Sequence, residues 1–263
     1  GGYIINDIYD IIIDKINNPE RIIIDNKISK TSALKIYYML NLIGISGGFY
    51  ISSQINKLYF GFIFVFFAFS LFKYSRNYKT SFLIGNLQVA FLTALSIITL
   101  ALFDLIPSGI KKENGAEMIF YIILCYSAFS FITTLIREII KDLEDIKGDK
   151  EVNANTFAIN IGIKKTKKTI ILLILTTIAT IGYFQYFQYS VLSSTFSVGL
   201  SYWGVNLTSV IYTCIIQTLL IILAIRINIS NTKIEFYNSS KLCKIIMLFG
   251  ILSIPLFSFL HLH

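Results

Sequence analysis

Charge is what this chain has least of. Of 263 residues only 14% are Asp, Glu, Lys or Arg, where soluble domains of this size carry about 25%. That shortage excludes an ordinary solvated globule. Cysteine is nearly absent too: Cys125 and Cys214 lie in apolar runs and Cys243 opens another, so neither a disulfide framework nor a thiolate metal spacing is present. The two histidines, His261 and His263, sit at the extreme C-terminus, which leaves no pattern for histidine catalysis or ligation. No linker, repeat or low-complexity tract divides the chain, so residues 1–263 are taken as one domain.

What is there instead is long apolar runs, with 55% hydrophobic residues and a mean hydropathy of +0.69. A bilayer crossing takes about 20 residues of helix. Seven runs approach that length, near 33–52, 58–75, 82–103, 116–137, 168–187, 206–226 and 243–260. Strand barrels would show short alternating segments, so the predicted fold is all-α, a polytopic transmembrane helical bundle. Seven crossings place Lys57, Lys111 and Lys112 on one side and the other twenty basic residues on the side of the first residue. By the positive-inside rule that side is cytoplasmic. The chain is therefore expected to be a multi-pass protein of the cell (inner) membrane. The net charge of +8 reflects topology, and no nucleic-acid partner is implied.

Two polar segments interrupt the apolar background, 6–30 and 137–168, both on the cytoplasmic side. In the first, Asn6, Asp10 and Asp14 recur at four-residue intervals, so on a helix they share one face, with Asp7 beside them. In the second, Asp142, Asp145 and Asp149 follow at i, i+3 and i+7. Glu138 extends that face by a turn, and Glu144 points away from it. Two carboxylate faces aimed at one cavity make an all-oxygen site of high charge. Such sites suit Mg²⁺, which commonly bridges carboxylates to substrate phosphates. Shielding by metal ions makes pyrophosphate a competent leaving group, and Lys141, Lys79 and Arg21 can add cationic donors to its oxygens. The bundle beneath would hold a hydrocarbon tail. A cation transporter could also display acidic helix ends, but it would place ionisable residues at mid-membrane, and the seven runs contain almost none.

These residues resemble the UbiA superfamily of intramembrane prenyltransferases. Asn6, Asp7, Asp10 and Asp14, followed by Pro19 and Arg21, match its first motif, and Lys141, Asp142, Asp145, Gly148 and Asp149 match its second. Tyr74, Ser75, Lys79, Gly85, Asn86, Val89 and Ala90 fit the segment between them. Two departures are Phe157-Ala158 in place of Leu-Pro after the second motif, and Ile22 in place of a proline after Arg21. The resemblance implies nine transmembrane helices in the family, so the first helix and most of the second are expected to be missing here. It implies Mg²⁺ between Asp10/Asp14 and Asp142/Asp145, with Asn6 and Asp149 completing the shells and Arg21, Lys79 and Lys141 on the diphosphate. It further implies transfer of a prenyl group from a prenyl diphosphate to a lipophilic acceptor. The surroundings of Arg137 and Lys141 most resemble the geranylgeranylglycerol-phosphate geranylgeranyltransferase branch. An aromatic acceptor, 4-hydroxybenzoate or a naphthoate, is the alternative. Asp7, Tyr74, Asn86 and Arg137 are further candidates. Arg137, a turn before Lys141, would meet either a protein carboxylate such as Glu138 or the anion of the acceptor.

Overall fold

The structure is a computed structural model that describes residues 1–17, 19–108, 116–187 and 206–262. Helix dominates it, and among the described residues the only β-pairing is an isolated bridge between Ile24 and Ile28. In chain order the helices are α1 (Gly2–Asn17), α2 (Lys30–Gln54), α3 (Gly61–Lys73), α4 (Ile84–Ser108), α5 (Ala116–Glu144), α6 (Ile146–Glu151), α7 (Phe157–Ile161), α8 (Ile163–Phe187), α9 (Leu207–Ile229) and α10 (Lys233–Leu262). A π-helical turn, Tyr74–Tyr78, prolongs α3.

Six helical spans among the described residues are long and apolar enough to cross a membrane: Leu58–Tyr78, Ile84–Leu105, Ile119–Glu144, Ile163–Phe187, Leu207–Ile229 and Lys233–Leu260. They correspond to six of the seven expected runs. The seventh, 33–52, is helical over the whole of α2 but is not apolar enough to join them. Asn41, Ser46, Ser52 and three glycines dilute it, and Ser52 must turn its hydroxyl back onto the Gly48 carbonyl to be satisfied.

The second half of the chain is a closed four-helix arrangement, α5 against α8 and α10, and α9 against α8 and α10. Its interior is aliphatic at the end near the polar segments, where Ile136, Ile139, Ile140, Leu143, Ile170, Ile174, Leu220, Leu223, Ile227 and Ile246 are fully buried. Lipid is as apolar as these side chains, so close packing rather than escape from water holds them together. Farther along, the same interior hollows into an apolar cavity of about 220 Å³, because Cys125, Ala128, Thr177, Thr213, Gly250 and Ser253 stand where larger residues would fill it.

The first half is looser. α1 lies against α2, α3, the π-turn and α6, burying Ile5 and Ile8 with Ile24, Ala33 and Tyr37. The two halves meet through α4, which packs along α5; the Ser127 hydroxyl donates to the Ala94 carbonyl at 2.8 Å in that seam. The consequence for function is placement. The acidic stretch of α1, the π-turn, the start of α4, the end of α5 and α6 all gather at one end of the bundle.

Candidate active site

Helical spacing does the first part of the assembly. On α5, Glu138, Lys141 and Asp142 fall on one face, about half a turn from Phe129, which lines the apolar cavity, and Asp145 lies just past the end of the helix. The polar pocket and the apolar cavity thus lie on opposite sides of α5. α5 ends at Glu144, and the chain re-enters helix at Ile146, carrying Gly148 and Asp149 inward, both buried. From the other side α1 presents Asp14, with Asp10 one turn earlier.

These walls enclose a small pocket of about 40 Å³ lined by Ile13, Asp14, Tyr74, Lys79, Thr80, Gly85, Asn86, Glu138, Lys141, Asp142, Asp145 and Asp149. The pocket brings together Asp14, Asp142, Asp145, Asp149, Lys79, Lys141, Tyr74 and Asn86. Asp10, buried at 4% exposure, is tied to the pocket by an ion pair with Lys79. Asn6 donates its amide to the same Asp10 carboxylate. Asn86 donates to the Asp142 Oδ2 at 3.1 Å. Asp7 is exposed; it stands seven residues, about 10 Å of helix, before Asp14 and does not line the pocket. The side chain of Arg21 lies outside the described residues.

Of the two partners expected for Arg137, the structure shows the carboxylate. Its Nη1 donates to Glu138 Oε1 at 2.5 Å, and both side chains are largely buried. Glu138 itself lines the pocket. The i, i+4 relation to Asp142 marked it as a face neighbour, yet its place beside Lys141 and its pairing with Arg137 emerge only in three dimensions. Thr80 and Gly85 are further lining residues that sequence spacing did not single out as site residues.

Crowding of carboxylates out of water has an electrostatic signature. Burial, then the neighbouring Asp10, raises the Asp14 carboxyl above its ordinary range. Burial raises Asp145 as well, although Lys141, Lys79 and Lys233 pull the other way. Asp149 is pushed up to about 6 by burial and by Asp145. A cation would relieve that shared penalty. Among the described residues no three His, Cys, Asp or Glu side chains already form a cage; the carboxylates stand on facing walls. That arrangement fits Mg²⁺, which keeps several waters and takes one or two carboxylates plus substrate phosphates. The donors are all hard oxygens, and the buried Asn6 Oδ1 has no hydrogen-bond partner.

The chain is similar to known proteins along most of its length. Residues 1–230 match the model of the UbiA prenyltransferase family. A digeranylgeranylglyceryl phosphate synthase of Sulfolobus acidocaldarius is 37% identical over 166 residues, 63% of this chain and 54% of that protein. The one from Methanococcus aeolicus is 33% identical over 253 residues, 96% of this chain and 78% of the relative. A solved structure of digeranylgeranylglyceryl phosphate synthase superposes with a TM-score of 0.60 at 26% identity, covering 96% of this chain and 78% of the other. The alignment to the first of these relatives spans about half of that protein's length. The match over most of the chain, with both acidic segments inside it, shows that this chain belongs to the UbiA prenyltransferase family.

Proposed function

We propose that the protein is a Mg²⁺-dependent prenyltransferase that moves a prenyl group, geranylgeranyl by the names of its relatives, from a prenyl diphosphate to a glycerophosphate lipid acceptor. The observation that carries this is the pocket with carboxylates on two facing walls and lysines from two elements between them. A transporter needs ionisable groups along a path through the membrane; here they gather at one end of the bundle.

Asp10 and Asp14 on one wall and Asp142 and Asp145 on the other would hold Mg²⁺, with Asn6 and Asp149 completing the oxygen set. When bound, the metal shields the diphosphate charge. The chain's own groups do the rest. Lys141 and Lys79 contribute positive charge to the diphosphate oxygens, with Arg21 as a third donor. Asn86 fixes one Asp142 oxygen and so aims the other. The allylic carbon–oxygen bond breaks, inorganic diphosphate leaves, and the acceptor hydroxyl oxygen bonds to the allylic carbon as its proton departs. The product is an ether. On this reading the acidic end of the bundle faces the cytoplasm, which the excess of lysine and arginine in the polar segments at that end supports.

The test is a product assay. Full-length enzyme is supplied with geranylgeranyl diphosphate, Mg²⁺ and either geranylgeranylglyceryl phosphate or 4-hydroxybenzoate. Ether formation with the first, abolished by chelation, is the expected result. A C-prenylated aromatic and no ether would reassign the acceptor. No diphosphate release under any condition would refute the enzyme assignment.

A further inference from the structure

The carboxylate walls are helical, but the segment between them is not regular. Tyr74 and Lys79 both line the pocket, although they stand five positions apart. On an α-helix that spacing would turn their side chains about 140° apart. The π-helical turn Tyr74–Tyr78 removes the conflict. Its hydrogen bond runs from the Lys79 amide to the Tyr74 carbonyl at 2.9 Å, an i→i+5 closure that brings Lys79 back over Tyr74.

A wider turn of this kind needs support from outside, and two contacts give it. The Thr80 carbonyl accepts from the Asn155 amide at 2.8 Å, and the Ala154 amide in turn donates to the Asp149 carbonyl at 2.8 Å. This ties the turn to the second acidic segment. On the other side the first turn of α4 presses directly onto it at Gly85. A Cβ at Gly85 would stand 2.5 Å from the Tyr78 carbonyl oxygen, 3.0 Å from the Tyr78 carbonyl carbon and 3.2 Å from the Lys79 Cα. All three are backbone atoms, so no rotamer change relieves the clash. Leu83, which leads into α4, already sits at φ 57°, a region that bulky residues rarely occupy. The chain between the turn and α4 therefore has little slack.

We propose that Gly85 is a positioning residue: lacking a side chain, it lets α4 seat against the π-turn and so holds Lys79 in register with Asp10 and Tyr74. The consequence for catalysis rests on the prenyltransferase reading; the consequence for Lys79 does not. Gly85→Ala should push the turn away from α4, carry Lys79 out of the pocket, and slow turnover by about a hundredfold, as misplacement by 1 Å can do.

The full chain in lipid nanodiscs supplies both readouts. Turnover of geranylgeranyl diphosphate is measured for Gly85→Ala, Lys79→Ala and the double variant. Gly47→Ala serves as control, since a Cβ at Gly47 meets nothing within 4 Å. If Gly85 acts through Lys79, the double variant loses little more than Lys79→Ala alone, the signature of coupled sites. Additive losses would overturn the proposal. Independently of activity, each lysine's acylation rate by an amine-reactive ester is read by mass spectrometry. In the wild type Lys79 should react several-fold more slowly than exposed Lys150, and in Gly85→Ala it should approach the Lys150 rate. Equal rates in the wild type would overturn the proposal even if Gly85→Ala fails to fold. Absence of any wild-type turnover would instead sink the prenyltransferase reading and leave the acylation rates to decide the role of Gly85.

Discussion

Glu138 offers the most demanding check on this site, because its removal can be reasoned through from the structure. Its carboxylate accepts from Arg137 Nη1 at 2.5 Å, with side-chain exposures of 9% for Glu138 and 22% for Arg137. Arg137 Nε is buried and has no hydrogen-bond partner, so Glu138 is the guanidinium's main compensation. Removing one partner of a buried pair costs about 3–5 kcal/mol, chiefly from the charge left behind. Arg137 retains some contact with solvent, so the lower end, about 3 kcal/mol, applies to Glu138→Ala. For a chain of this size each kcal/mol lowers the melting temperature by about 2–4 °C, which gives a drop of roughly 6–12 °C. Thermal unfolding in detergent followed by circular dichroism reads it.

The sharper result comes from removing both charges. A buried pair replaced by apolar groups of similar volume often loses no stability. The Arg137→Met/Glu138→Met variant should therefore melt within a few degrees of the wild type while Glu138→Ala does not. Its turnover should stay low, since Glu138 also lines the pocket beside Lys141. Two outcomes refute the reasoning: Glu138→Ala melting with the wild type, or the double variant melting as low as Glu138→Ala. The first would mean that the pair is solvated and contributes nothing to the fold; the second would mean that the loss does not come from the unpaired Arg137 charge and that Glu138 stabilises the fold through another neighbour, such as Lys141.

Two further expectations follow from the same geometry. Asp10→Ala or Asp142→Ala should reduce turnover to background in the product assay, because each strips an oxygen from a wall of the pocket, whereas Glu144→Ala, absent from the lining, should keep most activity; comparable losses for Glu144 and Asp142 would mean that the faces of α5 are misassigned. Cysteines placed at Lys147 and Lys57 should react with a membrane-impermeant thiol reagent from opposite sides of the membrane, with position 147 reached from the cytoplasm; labelling of both from one side would overturn the topology.

The legible and illegible parts of this protein divide along a physical line. Apolar runs and the faces of single helices can be read from spacing, because a helix has one period and each residue's direction follows from its number. Asp142 and Asp14 reach the pocket for that reason, whereas Asp145 and Asp149, expected on the same helix face, instead lie beyond the end of α5, so the break at Asp145 and the packing of α6 bring them there. Asp7 shows where periodicity stops being enough: it adjoins the acidic face by angle, yet it is exposed while Asp10 is buried, and which part of a face is covered is fixed by packing partners and not by period. The 33–52 run shows a second limit. Its length suits a crossing and it is helical, but Asn41, Ser46, Ser52 and the glycines hold its apolarity below that of the other six. The π-turn marks the deepest limit. Any reading at 100° per residue sends Tyr74 and Lys79 to different faces, and nothing local to Tyr74–Tyr78 announces the wider turn. What permits it is the missing Cβ at Gly85 and the Asn155 amide some 75 residues away in sequence. The lysine that reaches Asp10 is thus placed by contacts that only the folded bundle brings together. This is why the two acidic motifs can be recognised from spacing while the element that registers them against each other cannot.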